Sequence, residues 1–353
     1  MKILHTADIH LKEYGDERWK ALEELIKIGK EEKIEVFVIC GDLFDKGINA
    51  ESLRPHIRDL FSSNGFKIAL IAGNHDLDCY KAGFYFGEDT AIIADRGDCL
   101  QFEDVSIWGM PFEPMQGEEV VSRLQSLASS FSSHKKNILL YHGELLDTFF
   151  SRSDLGDEGE QRYMPVKLSY FKNLNLDYVL AGHFHSNFDV HSLEGGGHFV
   201  YPGSPVSITR RETGRRKINI FETGEPPREY VLETPHFEEV VIELDPFEPE
   251  NPVDVVRRHF QGLHPNGKAI LTVKGFFNGA AIGASEKDLV RQIEQVVVDR
   301  CADKRYEFRD IGVILEDDLF KNFMRKLEDI DAEREKKKQM CDMAIQAMMQ
   351  AIP

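Results

Sequence analysis

Seven side chains of types that bind divalent metal ions each follow a short apolar segment of this sequence: Asp8, His10, Asp42, Asn74, His142, His183 and His185. All seven offer an oxygen or an imidazole nitrogen and none offers a thiolate, so Mn²⁺, Fe and Zn²⁺ all suit the set. Seven ligands fit two divalent ions that share one carboxylate. Such a pair can bind both the attacking and the leaving oxygen of a phosphate ester. The sequence therefore predicts metal-assisted hydrolysis of a phosphate ester.

Each of these short motifs also has a purely structural interpretation. Turns after strands are often rich in Gly, Asn and Asp for conformational reasons. A lone histidine after a strand is usually structural, and His5, His56 and His198 fit that description. The structural interpretation fails for the seven residues together, because it would require five independent coincidences at five successive strand ends.

The apolar segments are typical of strands that alternate with helices. Strands are expected at 2–7, 36–40 and 67–72, with helices at about 16–30 and 52–62 between them. This β-α-β-α-β order is typical of a parallel sheet covered by helices. Ligands of open α/β sheets bind beside the carboxyl ends of the strands, which is where the polar motifs stand.

The second half of the pattern repeats this arrangement. Strands at 137–141 and 178–181 lead to the later histidine motifs, and strands near 199–204 and 218–221 would complete a sandwich. The long, polar and acidic segment 144–165 is interpreted as a functional or mobile loop.

In this order the motifs resemble the five signature motifs of the calcineurin-like metallophosphoesterase superfamily: Asp8-x-His10, Gly41-Asp42-x-x-Asp45, Gly73-Asn74-His75-Asp76, His142 and Gly182-His183-x-His185. The resemblance covers about residues 1–220 and implies a four-layer αββα sandwich with a di-metal centre. By matching motif positions, one ion would be held by Asp8, His10, Asp42 and His185. The other would be held by Asp42, Asn74, His142 and His183.

The same resemblance implies a catalytic role for His75, which is not a ligand in this scheme. His75 would contact the phosphate and donate a proton to the leaving oxygen. Asp45 stands where the superfamily often places the residue that orients this histidine, and a carboxylate there would raise the pKa of the ring. The structural alternative for Asp45 is an ordinary carboxylate at the start of a helix.

Within the superfamily, the segments 1–10, 41–45 and 201–205 resemble SbcD-type DNA-repair nucleases. The domain order is also similar: a nuclease domain over 1–235, a small α+β domain over 236–312 that caps the DNA, and a helical tail over 313–353. The stretch 224–236 contains prolines and is interpreted as the linker.

The resemblance further implies partners for the nuclease. These are DNA, an SMC-like coiled-coil ABC-type ATPase of the SbcC type, and a second copy of the chain in a homodimer. A methionine-rich face of the tail is a candidate docking surface for the ATPase, with packing on its own domain as the alternative. This face consists of Met340, Met343, Ala344, Ala347 and Met348.

A cluster of cations supports a nucleic-acid substrate independently of the resemblance. Five of the eight residues in 210–217 are basic, and we expect them to contact DNA phosphates without reading bases: Arg210, Arg211, Arg215, Arg216 and Lys217. The alternative is a solvated hairpin tip, which is a common position for a run of charges.

Composition bounds the remaining possibilities. The net charge of −18 over 353 residues argues against a surface uniformly coated by nucleic acid, although it permits a local basic patch. Five scattered cysteines without a CxxC pair indicate reduced thiols instead of a disulfide framework. No apolar run approaches the length of a membrane span, and no signal peptide is recognised before Asp8. We expect a cytoplasmic protein without membrane contacts, associated with the nucleoid if its source is a prokaryote.

The sequence thus predicts a di-metal DNA phosphodiesterase with Mn²⁺ as the favoured ion. It would act as an exonuclease, and also as an endonuclease, in double-strand-break repair and recombination. One rival is a metallophosphoesterase for small phosphodiesters or phosphomonoesters that ignores DNA and leaves 236–353 without a role. A second rival, a non-catalytic scaffold, is disfavoured because every ligand position and His75 are intact.

Overall fold

The computed structural model describes residues 1–80, 85–94, 98–115, 117–147 and 163–351. Most of the acidic segment predicted as a loop, namely 148–162, lies outside these ranges. By its internal contacts the chain divides into two compact units, Met1–Phe237 and Glu238–Pro353. The second unit includes the helical tail, and the division into three domains stays a prediction.

The first unit is built from strands and helices that largely alternate along the chain. Its elements are β1 (Lys2–Thr6), α1 (Glu17–Glu31), β2 (Val36–Cys40), α2 (Ala50–Phe61), β3 (Lys67–Ile71), β4 (Thr90–Ile92), β5 (Cys99–Gln101), β6 (Val105–Met110), α3 (Gly117–Ala128), β7 (Lys136–His142), β8 (Tyr178–Gly182), β9 (Asp189–Ser192), β10 (His198–Tyr201), β11 (Lys217–Glu222) and β12 (Glu229–Val231). The strands form two six-stranded sheets, with the orders β12-β11-β1-β2-β3-β4 and β5-β6-β7-β8-β10-β9.

The alternation of side chains along the strands produces four layers. In β2, Val36 and Val38 belong to a buried cluster shared with the second sheet, whereas Phe37 and Ile39 pack with residues of α1 and α2. All five residues of β2 are buried, as expected for a parallel strand covered on both faces. A third cluster places α3 against the outer face of the second sheet. The predicted αββα sandwich is confirmed.

Two parallel strand sets bring the polar motifs to one edge. Strands β1, β2 and β3 pair in parallel in the first sheet, and β6, β7 and β8 do so in the second. Direct contacts join β2 and β3 to β7. The residues that follow these strands therefore converge from both sheets.

The stretch interpreted as a linker, 224–236, is partly a strand. Glu229–Val231 forms β12 at the edge of the first sheet, where Ile218 of β11 pairs with Tyr230. Its alternating exposed and half-buried pattern covers only three residues, too few to reveal a strand in the sequence. Pairing with β11, which only the folded chain provides, defines this element.

The second unit is a small α+β structure extended by the tail helices. Its elements are β13 (His236–Leu244), α4 (Pro252–Gly262), β14 (Gly267–Phe277), α5 (Gly279–Ile282), α6 (Glu286–Val297), β15 (Cys301–Asp310), α7 (Gly312–Glu316), α8 (Asp318–Glu328) and α9 (Arg334–Ala351). The sheet order is β13-β14-β15, and α4 and α6 cover it through a shared apolar cluster. Helix α6 begins with a capping box, in which Ser285 and Asp288 bond reciprocally.

The tail helix α9 uses most of its methionine-rich face within its own unit. Met340, Ala344 and Met348 pack against a cluster that includes residues of α7 and α8. Met343 is different, because 69% of it is exposed. No helix in the described part of the chain is long and apolar enough to cross a membrane.

His5 is a structural histidine of the sandwich interior. It is fully buried in β1, and its Nε2 lies 3.2 Å from the carbonyl oxygen of Ala181. Burial lowers the pKa of His5 from 6.5 to about 3, because the charged form loses its hydration. The folded chain therefore keeps this ring neutral at pH values where the unfolded chain protonates it.

This difference predicts acid lability. Above pH 6.5 the contribution of His5 to the free energy of unfolding is complete; below it, the contribution falls by about 1.4 kcal/mol per pH unit until the folded pKa is reached. In urea unfolding of the metal-free chain, the destabilisation caused by His5→Asn should be about 2 kcal/mol smaller at pH 5 than at pH 7. His134→Asn, at an exposed site, should show no such change. An equal His5→Asn effect at both pH values would contradict the prediction.

Candidate metal centre

The seven predicted ligands come together where strands of both sheets end. Asp8 and His10 follow β1, and Asp42 and Asn74 follow β2 and β3. The three remaining histidines end or follow strands of the second sheet. Six of the seven residues are buried, and Asn74 is half-buried. The convergence of side chains from sequence-distant strands follows from the parallel pairing of both sheets.

The backbone at these positions is strained. Asp8, His10 and Asp42 have φ values of 55°, 52° and 52°, and His183 has a φ of 101°. Residues with a Cβ rarely adopt this left-handed region, and where they do, the surrounding structure must hold them there, often at functional sites. Hydrogen bonds supply part of that support, since Asp8 N–H donates to the Gly41 carbonyl at 3.1 Å and His10 N–H to the Asp42 carbonyl at 2.9 Å.

Asp42 occupies the centre of the cluster. Its Oδ2 lies 3.7 Å from His10 Nε2 and 3.5 Å from His142 Nε2, and its Oδ1 accepts the backbone N–H of His75 at 2.9 Å. Although fully buried, Oδ2 accepts no hydrogen bond from the described residues. A buried carboxylate oxygen without a donor, between two imidazole nitrogens, fits a carboxylate that bridges two cations.

The other donors lie on two sides of Asp42. On one side, His185 Nε2 lies 3.2 Å from His10 Nε2 and 3.7 Å from Asp8 Oδ1. On the other, Asn74 Oδ1 lies 2.9 Å from His142 Nε2 and 3.2 Å from His183 Nδ1. These contacts follow the two ligand sets that the sequence resemblance implies.

Some of the ligand atoms lie close enough together to share one ion, although these triads do not all fall within one of the two implied sets. Asp8, His10 and His185 form one such group, and Asp8, Asp42 and His142 form another. The oxygen and imidazole chemistry of the set fits a divalent metal ion. His10, Asp45 and His75 form a third group among the described residues, but Asp45 is already engaged by two cationic side chains.

The electrostatics of the cluster reflect its two buried carboxylates. Burial raises the pKa of Asp8. Burial also opposes ionisation of Asp42, yet the neighbouring His142 and His10 hold the pKa of Asp42 well below its usual range. In return, the Asp42 carboxylate overcomes the effect of burial on His142 and raises the pKa of that ring to about 9. Without a metal ion, positive charge from a protonated histidine balances the carboxylates, and a divalent cation would replace that proton.

His75 and Asp45 lie beside this cluster as the sequence resemblance implies. Asp45 Oδ1 lies 3.5 Å from His75 Nδ1 and also 3.5 Å from His10 Nδ1. Asp45 Oδ2 accepts a hydrogen bond from Arg18 at 3.1 Å and lies 3.0 Å from Lys12 Nζ. Burial opposes ionisation of Asp45, but the neighbouring His10, His75 and Lys12 hold the pKa of this carboxyl well below its usual range. With 19% of its side chain exposed, His75 is open to a substrate.

Asp76, the last residue of the Gly-Asn-His-Asp motif, has a positioning role that the sequence analysis did not assign. Its carboxyl group accepts hydrogen bonds from Gly73 N–H, Phe44 N–H and the Tyr80 hydroxyl at 2.7, 3.2 and 2.7 Å. Burial raises the pKa of Asp76 to about 7. These bonds tie the turn that presents Asn74 to the strand end of β2. The only sign of this role in the sequence is that Asp76 belongs to the same motif as Asn74 and His75.

The basic run 210–217 does not act as one exposed patch, and the prediction that Arg216 contacts DNA is wrong. Only 2% of Arg216 is exposed. Its guanidinium donates to the carbonyls of Ser204 at 3.0 Å, of Ser186 at 3.1 Å, and of His185. An arginine saturated by buried carbonyls cannot reach a phosphate.

The other four cations of the run remain accessible to different degrees. Arg210, Arg211 and Arg215 are exposed, and Lys217 is half-buried. Arg215 pairs with Glu233, and Lys217 Nζ lies 2.6 Å from Glu229. Arg210, Arg211 and Arg215 are therefore the exposed cations of the run.

Comparison with known proteins identifies the fold family. The family model described as calcineurin-like phosphoesterase matches residues 1–187. Among solved structures, the chain resembles TT1561 of Thermus thermophilus at 14% identity, covering 62% of this chain and 92% of that one, with a TM-score of 0.41. A dimetal phosphatase from Danio rerio shows 9% identity, 62% and 91% coverage, and a TM-score of 0.39.

A third solved structure is the nuclease MPE from Pseudomonas putida. It shows 15% identity, covers 65% of this chain and 84% of its own length, and gives a TM-score of 0.29. At these scores none of the three structures bears on the substrate.

Proposed function

The chain belongs to the calcineurin-like phosphoesterase family, and we propose that it is a metal-dependent phosphodiesterase that cleaves DNA as an exonuclease and also as an endonuclease. The observation that carries the hydrolytic part is the cluster around Asp42, in which buried oxygen and nitrogen donors converge beside the partly exposed pair His75 and Asp45. The closer resemblance of the sequence to SbcD-type nucleases supports DNA as the substrate.

Different residues of the chain have different roles in the proposed cleavage. We assign two divalent ions, Mn²⁺ in preference to Fe or Zn²⁺, to the two ligand sets that share Asp42. When bound, they polarise the phosphate and lower the pKa of water. His75 then donates its proton to the leaving oxygen. Asp45 holds the ring through Nδ1, so that Nε2 faces the substrate.

We assign two exposed arginines, Arg210 and Arg211, to contacts with the DNA backbone near this site. Arg210 and Arg211 directly precede Glu212, whose Oε1 lies 3.4 Å from Nδ1 of the candidate ligand His185. Because successive Cα atoms are only about 3.8 Å apart, both arginines belong to a turn that touches the metal cluster. Cations there can neutralise phosphates that flank the scissile bond.

The test compares DNA with a small diester. We expect the purified chain with Mn²⁺ to degrade end-labelled linear DNA, and His75→Ala to slow this cleavage by about 10²- to 10⁴-fold. The double variant Arg210→Ala, Arg211→Ala should weaken DNA binding and reduce the slope of log K against log salt by about 0.9 per lost phosphate contact. Removal of two other exposed cations of the first unit, Lys67 and Lys172, should leave that slope unchanged.

The rival function makes a different prediction. Mn²⁺-dependent hydrolysis of bis(p-nitrophenyl) phosphate, with DNA left intact even after an SbcC-type ATPase is added, would refute the DNA assignment and favour an enzyme for small phosphodiesters or phosphomonoesters. Equal salt slopes for the arginine and lysine double variants would separately refute the role of Arg210 and Arg211.

We further propose that the enzyme works in DNA double-strand-break repair and recombination with an SMC-like ATPase of the SbcC type, as a homodimer in the cytoplasm. Sequence resemblance supports this, and Met343 offers an exposed apolar side chain on α9 for docking. Co-purification with such an ATPase, lost in Met343→Asp, is the expected result. Absence of a complex with the unaltered chain would refute the partnership, and a monomeric mass in light scattering would refute the dimer.

A further inference from the structure

We propose that Glu212 is a positioning residue for the candidate metal ligand His185, which makes the turn that carries Glu212 part of the metal centre. The inference rests on the proposed metal-dependent function. It assigns a role to an acidic residue inside a run of otherwise mostly basic residues.

The two ring nitrogens of His185 face opposite surroundings. Its Nδ1 lies 3.4 Å from Glu212 Oε1, while its Nε2 lies 3.2 Å from His10 Nε2 and 3.7 Å from Asp8 Oδ1. A carboxylate beside Nδ1 favours the proton on that nitrogen, which leaves the lone pair of Nε2 directed at the ligand cluster. Carboxylates that orient metal-binding histidines in this way fix both the tautomer and the ring.

Glu212 is itself held in place. Only 1% of it is exposed, and its Oε2 accepts the Ile208 N–H at 2.7 Å and the Ser204 hydroxyl at 3.1 Å. Its Oε1 accepts the Thr209 N–H at 3.1 Å. These donors fix the carboxylate before any ligand arrives, so it can constrain the ring of His185 without reorganising.

The backbone of His185 is fixed from the same segment. Arg216 donates to the His185 carbonyl and to the Ser204 carbonyl, and it is as deeply buried as Glu212. The segment 208–216 thus constrains both the ring and the main chain of His185, a ligand that follows β8. Burying the charges of Glu212 and Arg216 costs free energy unless both groups are well hydrogen-bonded. Here Glu212 contacts the ring of His185 and Arg216 bonds its carbonyl.

A merely structural role would have another signature. Glu212 closes the turn 208–212 through its backbone hydrogen bonds, so its loss could destabilise the unit in any state. A positioning role affects metal affinity in chains that remain folded. The experiment therefore measures Mn²⁺ binding and unfolding separately.

We would titrate the purified, metal-free full chain with Mn²⁺ by calorimetry. Glu212→Gln keeps the shape of the side chain and should weaken the more strongly affected site by about 10-fold, and Glu212→Ala by up to about 100-fold, the range found for partners of ligating histidines. Glu194→Gln is the matched control, an exposed carboxylate paired with Lys172 in the same unit, and should bind as the unaltered chain does.

The outcomes separate this inference from the proposed function. If the unaltered chain binds no Mn²⁺, the proposed function fails. If it binds Mn²⁺ and Glu212→Gln binds within about twofold of the control, well short of the effect expected for a partner of a ligand, the positioning role is overturned even if the variant unfolds at a lower temperature.

A second measurement needs no variant of Glu212. In ¹⁵N spectra of the metal-free chain, the His185 signals, assigned by their loss in His185→Gln, should show a proton on Nδ1. A neutral ring protonated on Nε2 would overturn the proposal.

Discussion

Replacing His75 with alanine is expected to lower kcat for DNA cleavage by about 10²- to 10⁴-fold, the usual contribution of a positioned general acid, with Mn²⁺ affinity unchanged. The ring lies beside the ligand cluster, 3.5 Å from Asp45, and is partly exposed. The contact of this residue with Asp42 is made by its backbone N–H, which alanine retains. His75→Ala should therefore remove proton donation to the leaving oxygen and leave the metal ligands in place.

The measurement is single-turnover cleavage of end-labelled DNA at saturating Mn²⁺, beside calorimetric Mn²⁺ titration. Added imidazole should restore part of the rate in His75→Ala. His191→Ala, which removes a half-buried ring paired with Asp189, serves as the control. A fall in the number or affinity of Mn²⁺ ions in His75→Ala would indicate that the group of His10, Asp45 and His75 holds metal, and the acid role would be wrong.

Asp42→Asn should abolish activity through loss of metal. The amide keeps the shape of the side chain and an oxygen for the His75 N–H, but it removes the charge that both ligand sets share. We expect a loss of Mn²⁺ affinity greater than the roughly 10- to 100-fold typical of residues that only support a ligand. Cleavage should then fall to background at any practical Mn²⁺ concentration.

Thermal unfolding offers a readout of Asp42→Asn that is independent of catalysis. Binding at about 100 times Kd stabilises a folded protein by about 2.7 kcal/mol, so the unaltered chain should melt at a higher temperature with Mn²⁺ than with a chelator. This difference should vanish in Asp42→Asn and persist in Asp89→Asn, a partly exposed carboxylate paired with Lys67. An undiminished Mn²⁺-dependent shift in Asp42→Asn would show that Asp42 does not bridge the ions.

The sandwich and the ligand cluster were predictable because both depend on local sequence. Each ligand directly ends or follows an apolar segment that is recognisable without its neighbours. Parallel strands deliver their carboxyl ends to one edge, so Asp42 and His142 could be assigned to one site although about a hundred residues separate them. No long-range contact had to be known in advance.

The direction of side chains in irregular segments was not predictable in the same way. Arg215 is exposed and Arg216 is buried because the chain is already extended there, with Leu232 N–H bonded to the Arg216 carbonyl. Successive side chains of an extended segment point to opposite faces, and Arg216 shares the inward parity of Ile218. In the sequence alone, the run of charges at 210–217 hides which side chains point inward. The sequence also gives no sign that Glu212, within this run, contacts His185.

The convergence of the ligands from two sheets also constrains the order of events during folding. A chain in which only the first sheet has formed would hold Asp8, His10, Asp42 and Asn74 but none of the three histidines contributed by the second sheet. Such a half-formed chain would offer mostly oxygen ligands and would capture metal weakly. The chain should thus bind metal with high affinity only late in folding, after the two sheets have packed together. Nascent chains truncated before β8 should not bind metal with high affinity.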